Sequence, residues 1–496
     1  MNGEKKLTLV SLILMIFTSV FGFTNIPRSF YLMGYAAIPW YIISALLFFI
    51  PYAFMMAEYG AAFKNESGGI YSWMKKSVGP KYAFVGTFMW YASYVIWMVN
   101  ISSSIWIVIS TAIFGTDTTS SWTLFNLSST QTMGVLGVIL ITVITFTATK
   151  GLEKITKVTS IGGIAVTLLN LVLLFGSIVI FVLNGKLAQP INDFQTAMTI
   201  SPNDAYLSPL AVVSFLVFSI FAFGGIEVIG GLSDQTENAE KTFPKGVTIA
   251  AVVIAVGYAL GIFLCGISTN WNEVLSSPSV HMGNIAYVLM ENLGYQLGLA
   301  LGASQETAVT VGLIMSRYMG ISMALSLIGA FFALSYSPLK QLIEGTPKEM
   351  WPKSFTKHNN GMPVSAMWIQ CATVIVIVIL VSFGGDGAAK FFSKLILMTN
   401  VAMTIPYMFV AGAFPAFKKK KEIEKHFEVY KSNFTIKLAT ISSVLTVLFA
   451  NVATIISPFV EKGDLDSTIW MIAGPVVFTI VALLIYGRYE KIKKAQ

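Results

Sequence analysis

Apolar runs separated by short polar segments follow one another from Leu7 to Tyr486. Crossing about 30 Å of hydrocarbon takes roughly 20 helical residues, and each run is about that long. The pattern predicts an all-α polytopic membrane protein of about twelve transmembrane helices, here called spans one to twelve. They lie near 7–34, 36–62, 81–112, 132–149, 157–184, 208–232, 246–268, 309–336, 363–383, 391–415, 435–457 and 467–487. The first run imitates a signal peptide but lacks a cleavage site, so we interpret it as a retained span.

Three polar segments are longer than a connecting turn requires. Residues 64–80 predict a short cytoplasmic amphipathic helix, and residues 269–308 form the longest outside segment, with short helices around 281–299. Residues 337–362 form a cytoplasmic crossover rich in proline, glycine and lysine. We expect one integral membrane domain without a soluble domain.

The distribution of charge predicts the orientation. Only 11% of the residues are charged, and the net charge is +8. If the amino terminus is cytoplasmic, most of the 32 basic residues fall in inside segments, as the positive-inside rule requires. We therefore expect a multi-pass protein of the inner or plasma membrane with both termini in the cytoplasm. Its lysines, including the run Lys418–Lys421, then face anionic lipid, so no nucleic-acid partner is needed.

Glycine and polar residues interrupt two spans near their midpoints. Span six holds FAFGGIEV (221–228) and span one holds FTSVFGFTNIP (17–27). Glycine weakens a helix by about 1 kcal/mol, and a mid-bilayer charge costs roughly 3 kcal/mol or more. Unwound backbone is tolerated in a membrane only where it lines a cavity enclosed by protein. A glycine-rich packing face is the alternative, and Gly230 and Gly231 fit it.

Paired breaks at spans one and six point to a transport site if two five-helix units repeat. The amino ends of the half-helices would offer N–H groups to a carboxylate, and the carboxyl ends would offer carbonyls to an amino group. An α-amino acid needs both. The candidate substrate-binding residues at the breaks are Ser19, Gly22, Phe23, Thr24, Phe221, Ala222, Phe223, Gly224 and Gly225.

Three motifs resemble the amino acid–polyamine–organocation (APC) superfamily, most closely its glutamate/γ-aminobutyrate antiporter branch. They are Phe221–Glu227 in span six, Glu237–Pro244 after it, and Ala57–Gly60 with Gly68–Tyr71 after span two. The resemblance implies a 5+5 inverted repeat of the LeuT/APC type, with helices one and six discontinuous, over 1–184 and 208–415. Two added helices would occupy 435–487. One departure is Val20-Phe21-Gly22, where the superfamily has G-S-G.

Four further residues are candidates for gating or coupling. Glu227 matches the superfamily's glutamate beyond the break; it serves as a gate or coupling carboxylate, as a structural bond to span-one backbone, or as both. Trp90, with Tyr94 and Trp97, walls the cavity or belongs to the core. Lys157 replaces a sodium ion, as the resemblance suggests, or anchors span five at the inner leaflet. Tyr407 follows Pro406 in span ten.

Two other charged residues have competing interpretations. Arg317 in span eight is a candidate for binding a substrate carboxylate side chain, or it pairs with Glu306. Glu58 is expected to be structural and to lie beside Lys64. The spacing of Ser322 and Ser326 would suit a sodium site, but the pattern is weak.

These observations favour a secondary active transporter of amino acids or amines, including glutamate/γ-aminobutyrate-type exchange. A proton- or sodium-coupled symporter of another small organic solute is the alternative. No G-x-x-x-x-G-K-[ST] loop occurs, so ATP drive within this chain is not expected. An intramembrane enzyme is disfavoured because His281, His358 and His426 lie in loops, and a channel because no filter is visible. We expect no metal or other cofactor.

Overall fold

The computed structural model describes residues 6–359 and 361–495. Within these residues, eleven helices are long and apolar enough to cross a membrane. One of them, Asn25–Ala62, is not straight: the Ser29 and Tyr41 hydroxyl oxygens on either side of Gly34–Ala36 lie only 2.9 Å apart, which indicates that the chain turns back there. With Leu9–Val20 as the start of span one, the described helices make up twelve candidate spans. The predicted fold class, an all-α polytopic membrane protein, is confirmed.

Spans one and six are each divided in two. Span one consists of 1a, Leu9–Val20, and 1b, Asn25–Met33; span six consists of 6a, Pro209–Phe221, and a 3-10 helix 6b, Ile226–Leu232. Span two joins Ala37–Ser44, a π-helical Ala45–Phe49 and Ile50–Ala62. The other bounds, in chain order, are Pro80–Phe114, Ser129–Ala148, Leu152–Asn184, Ala239–Ser268, Gln305–Gly345, Val364–Phe383, Gly385–Ala402 with Ile405–Lys419, Asn433–Lys462 and Leu465–Ala495.

Shorter helices lie between the spans. Gly69–Ser77 forms the helix that the sequence predicts in 64–80; Trp73 and Met74 are buried while Lys75 and Lys76 are exposed. Ile285–Ala300 forms a helix in the long segment before span eight. Both predicted helices are therefore confirmed.

Two predicted boundaries are wrong. Span eight continues to Gly345 rather than ending near 336, since Pro338 lies inside the helix without stopping it and Lys340 and Gln341 are buried against 6b. Span ten is interrupted at 403–404, although the hydropathy predicts it to be continuous.

Both termini lie on one face of the bundle, here called the terminal face. Lys6 and the turn Thr346–Glu349 line one cavity there, and the neighbouring Trp351 and Pro352 line another with Arg488 of span twelve. The opposite face carries segments 185–208 and 269–304, which are joined by the hydrogen bond from the Asn270 side-chain amide to the Ala188 carbonyl at 3.1 Å.

Glycine allows span 1a to lie directly against span five. A Cβ at Gly163 would come within 2.4 Å of the Leu14 carbonyl oxygen, a distance that no side chain tolerates. The Thr18 hydroxyl lies 2.8 Å from the Thr159 carbonyl at the same contact. This packing holds the first half of span one in place up to the point at which its helix stops.

Glu58 joins span two to the segment between spans ten and eleven. Its Oε1 accepts hydrogen bonds from the Val429 and Tyr430 amides at 2.8 Å each, and its Oε2 accepts one from Lys418 Nζ at 2.7 Å. Both side chains of the ion pair are buried. Lys64 pairs instead with Glu240, so the partner of Glu58 is not the neighbour that the sequence suggests.

We expect Glu58→Ala to destabilise the protein by about 3–5 kcal/mol, because it removes the fully buried partner of Lys418 and leaves the Val429 and Tyr430 amides without their acceptor. Thermal unfolding in detergent would measure this loss. Glu428→Ala is the matched control: Glu428 also accepts from Lys418 at 2.7 Å, but its side chain is 36% exposed, so the loss should stay under about 1 kcal/mol. Equal losses in the two variants would contradict a role for burial.

The terminal face is predicted to be cytoplasmic, and cysteine labelling can test this. Lys186→Cys lies on the opposite face and Lys421→Cys on the terminal face; both positions are exposed, and the native Cys265 and Cys371 are buried. In intact cells, a membrane-impermeant maleimide should label position 186 and leave position 421 unlabelled until the cells are broken. The reverse pattern would invert the predicted orientation.

Candidate substrate site

The first break leaves backbone groups of span one without helical partners. Residues 21–24 are not helical. Within the part of the chain that the structure describes, the Phe23 and Thr24 amides donate no hydrogen bond. These two amides precede 1b, where the helix dipole also favours negative charge.

The second break lies directly against the first. Gly225 has φ +112°, a conformation that L side chains rarely adopt, and a Cβ there would come within 2.4 Å of the Ser19 carbonyl oxygen. Only glycine satisfies both conditions. The requirement for Gly225 therefore comes from its own backbone and from its contact with span one.

The Tyr258 hydroxyl of span seven links the two breaks. It accepts a hydrogen bond from the Gly22 amide at 3.0 Å and lies 3.3 Å from the Val20 carbonyl and 3.1 Å from the Ala222 carbonyl. One buried side chain thus meets peptide groups that the missing helical turns leave open. Sequence analysis did not single out this residue, whose only signal is a tyrosine at the middle of an apolar span.

Glu227 lies directly after the second break and is fully buried. Its Oε1 lies 3.0 Å from Trp90 Nε1, 2.9 Å from the Tyr94 hydroxyl and 3.3 Å from the Tyr407 hydroxyl. Its Oε2 lies 3.3 Å from the Gly225 amide. Spans three, six and ten therefore meet at one carboxylate, which has four donors and no cation among its described partners. Buried charges need such partners.

A cavity of about 520 Å³ lies beside these breaks. It reaches from the break in span six along 6a and is bordered by spans three, eight, ten and eleven. Its walls are made by Ser19, Tyr94, Trp97, Ser214, Val217, Phe218, Phe221, Gly224, Gly225, Val228, Ala330, Ala333, Leu334, Asn400, Met403, Thr404, Tyr407 and Thr454.

The third break, in span ten, also borders this cavity. Met403 and Thr404 line it, and the Thr404 hydroxyl donates to the side-chain oxygen of Asn451 in span eleven at 2.7 Å. The interruption allows Tyr407, one turn later, to reach Glu227. Pro406 is the sequence feature that could have indicated this break, since proline often follows a helix break.

The predicted break residues divide into two groups. Ser19, Phe221, Gly224 and Gly225 line the cavity, together with Tyr407. Gly22, Phe23, Thr24 and Ala222 lie at the breaks but are not part of the described lining.

Phe223 and Trp90 lie behind the cavity lining. Phe223 packs on Phe49 with ring centroids 4.6 Å apart and on Tyr258 at 5.2 Å, so it faces spans two and seven. Trp90 donates to Glu227 and is not among the described lining residues.

Two charged candidates lie away from this cavity. Arg317 is exposed near the end of span three, where its Nε would lie 3.4 Å from a Cβ at Gly115. Lys157 is exposed near the beginning of span five. Hydropathy placed both residues in or beside spans, but it did not predict which face of the helix each residue occupies.

The terminal face is closed below the site. The Gln341 side chain accepts from the Ile70 amide at 2.9 Å and donates to the Val228 carbonyl at 3.2 Å, which joins span eight, 6b and the Gly69–Ser77 helix. Lys340 Nζ binds the Gly231 carbonyl at 2.9 Å and Asp234 at 2.8 Å. Leu7 pairs with the backbone of 235–237. This network separates the cavity from the terminal face.

Comparison with known proteins identifies the family. A family model described as amino acid permease matches residues 7–483. The chain belongs to the amino acid permease family. The permease is 55% identical over 488 residues to the inner membrane transporter YjeM of Salmonella typhimurium, covering 98% of this chain and 97% of that protein. The family that the three motifs predict is confirmed, and the permease is a multi-pass inner membrane transporter rather than an enzyme.

More distant relatives of the permease have names that state a substrate. The aspartate/glutamate permease AcaP of Lactococcus lactis subsp. cremoris is 23% identical, with 97% of this chain and 94% of that protein covered. The probable agmatine/putrescine antiporter AguD of Lactococcus lactis subsp. lactis is 23% identical, with 100% and 97% covered.

We expect Tyr258→Phe to lower the free energy of unfolding of the permease by about 1–3 kcal/mol, because buried peptide groups at both breaks lose a hydrogen-bond partner. Thermal unfolding and initial uptake rate, measured on the same preparation, would both fall. Tyr82→Phe is the control, since it removes a hydroxyl bond to the Phe409 carbonyl, 2.8 Å long and remote from the breaks. Uptake lost equally in both variants would argue against a specific role for Tyr258.

Proposed function

We propose that this permease is a secondary active transporter that moves amino acids or related amines across the cytoplasmic membrane by alternating access. The observation that carries the proposal is the contact between two interrupted spans beside a cavity deep in the bundle. Unpaired amides ahead of 1b suit a carboxylate, and carbonyls at the ends of 1a and 6a suit an ammonium group. The small-molecule class also agrees with the names of the distant relatives.

The architecture that we propose is a pair of inverted repeats, 1–184 and 208–415, followed by two added helices in 435–487. Its support is that spans one and six, the first of each unit, both break beside the cavity. In such transporters the two repeats move against one another around a fixed site. The contacts of 6b with span eight, and those of Leu7 with residues 235–237 on the terminal face, would then separate as the cavity opens to the cytoplasm.

Glu227 is proposed as the gate or coupling residue of this movement. Its carboxylate connects the break in span six to Trp90 and Tyr94 of span three and to Tyr407 of span ten. A shift of 6b would exchange these bonds. A proton or a second solute that binds at this point would therefore bias the movement.

Two energy sources are considered in this proposal. One is exchange of two solutes, as in glutamate/γ-aminobutyrate antiport, and the other is proton- or sodium-coupled symport. Proteoliposomes containing the purified permease distinguish them. Labelled amino acids and amines would be offered with and without sodium, a pH gradient and a preloaded solute. Uptake that depends on preloading supports exchange, and uptake that depends on one gradient supports symport. Failure to transport any amino compound under every condition would refute the function.

Replacing Glu227 by Gln should lower the uptake rate at least roughly tenfold, because bonds to a charged acceptor contribute about 1.5–3 kcal/mol and each 1.4 kcal/mol is a factor of ten. The pH dependence of uptake should also flatten. Glu306→Gln, at an exposed position, is the control and should transport normally. If Glu227→Gln shows unaltered kinetics across the pH range, the carboxylate has no part in gating or coupling.

A further inference from the structure

Resting on the transport function proposed above, we infer that the substrate carries an uncharged, largely apolar side chain, as in leucine, methionine or phenylalanine. The inference comes from the chemistry of the described cavity lining. It differs from the acidic and cationic solutes in the names of AcaP and AguD.

The walls of the cavity are mostly apolar. Spans six, eight and ten contribute Val217, Phe218, Phe221, Val228, Leu334 and Met403. The polar groups among them are neutral hydroxyls and an amide, such as Thr404 and Asn400. Ligand sites with this composition hold an apolar group by burial and orient it with a few polar contacts.

Among the described residues that line the cavity, none is basic. Arg317 is exposed away from the cavity, and Lys340 is buried in the terminal-face network with Asp234. An acidic side chain that leaves water for these mostly apolar walls would have no counter-ion among the described lining residues, which is unfavourable. The substrate's own α-carboxylate differs, because in the proposed function it binds at the span-one break, where the Phe23 and Thr24 amides donate no hydrogen bond within the described residues.

A cationic side chain lacks a partner for another reason. Glu227 is the nearby carboxylate, but it is not among the described lining residues. Two of the groups that donate to it, the Tyr94 and Tyr407 hydroxyls, form the wall between it and the cavity. The carboxylate is occupied by four protein donors, so a cation in the cavity would have to displace them.

The space beyond the breaks fits a bulky side chain. The cavity volume of about 520 Å³ exceeds what the common amino and carboxylate groups need, and the small Ala330 and Ala333 of span eight leave room opposite Phe218 and Phe221. A large apolar side chain would fill this space by burial of its surface.

Counterflow in proteoliposomes tests the inference. Vesicles containing the purified full-length permease are preloaded with unlabelled L-leucine, and uptake of labelled L-leucine is measured against excess competitors. L-Methionine and L-phenylalanine should compete, whereas L-glutamate, L-arginine and putrescine should not. Uptake of labelled glutamate, arginine or putrescine in preference to leucine overturns the inference while leaving the transport function intact. Absence of uptake for every solute overturns both.

Two variants test the proposed side-chain position. Ala330→Leu narrows the cavity and should weaken competition by phenylalanine roughly tenfold while changing that by alanine less than about threefold. Ala205→Leu, on an exposed segment of the opposite face, is the matched control. Asn400→Lys adds a cation at an exposed lining position and should admit glutamate as a competitor. If neither variant changes the selectivity, while both unfold at the wild-type temperature, the side chain does not occupy this cavity.

Discussion

Peptide groups inside a membrane must find partners within the protein, and this constraint governs the centre of the structure. A helix satisfies them along its own backbone, and each break removes that solution for a turn. Here several of these groups meet partners that are not part of the regular helical hydrogen-bond pattern. The Tyr258 hydroxyl meets groups from both breaks, the Glu227 carboxylate meets the Gly225 amide, and Gly225 lies against the Ser19 carbonyl. The two interruptions are therefore one structural unit, since each relies on groups that the other brings near.

The same constraint accounts for a carboxylate deep in the bilayer. Glu227 has no described basic partner; its charge is met by an indole, two phenols and an amide. Such donors are weaker than a lysine and are shared among three spans, so in the proposed movement they could be exchanged one at a time. The arrangement suits a gate better than a permanent ion pair such as Glu58 with Lys418, which is buried and ties a segment of the terminal face in place.

Local chemistry explains which features could be predicted from the sequence. The breaks in spans one and six were visible because glycine, threonine and proline act on their own backbone, and Glu227 was visible because a charge in an apolar run is rare. The sequence identified Trp90, Tyr94 and Tyr407 as candidate aromatic residues, but it did not predict that they contact Glu227. That contact depends on how three helices are rotated about their axes. Tyr258 gave no local signal. Arg317 and Lys157 were singled out for their charge, and helix rotation directs both away from the cavity.

The charges around the cavity bear on how members of one family could differ in their substrates. Distant relatives of this permease, 23% identical over nearly the whole chain, have names that include aspartate and agmatine. A common fold is compatible with this range, because in the proposed function carbonyls at the breaks would bind the amino group that amino acids and amines share. The rest of the solute would then be selected by the walls that spans three, six, eight and ten contribute. In this chain Glu227 is covered by its own donors and the described walls carry no cation, so the inferred selection rests on the shape and burial of the side chain rather than on its charge.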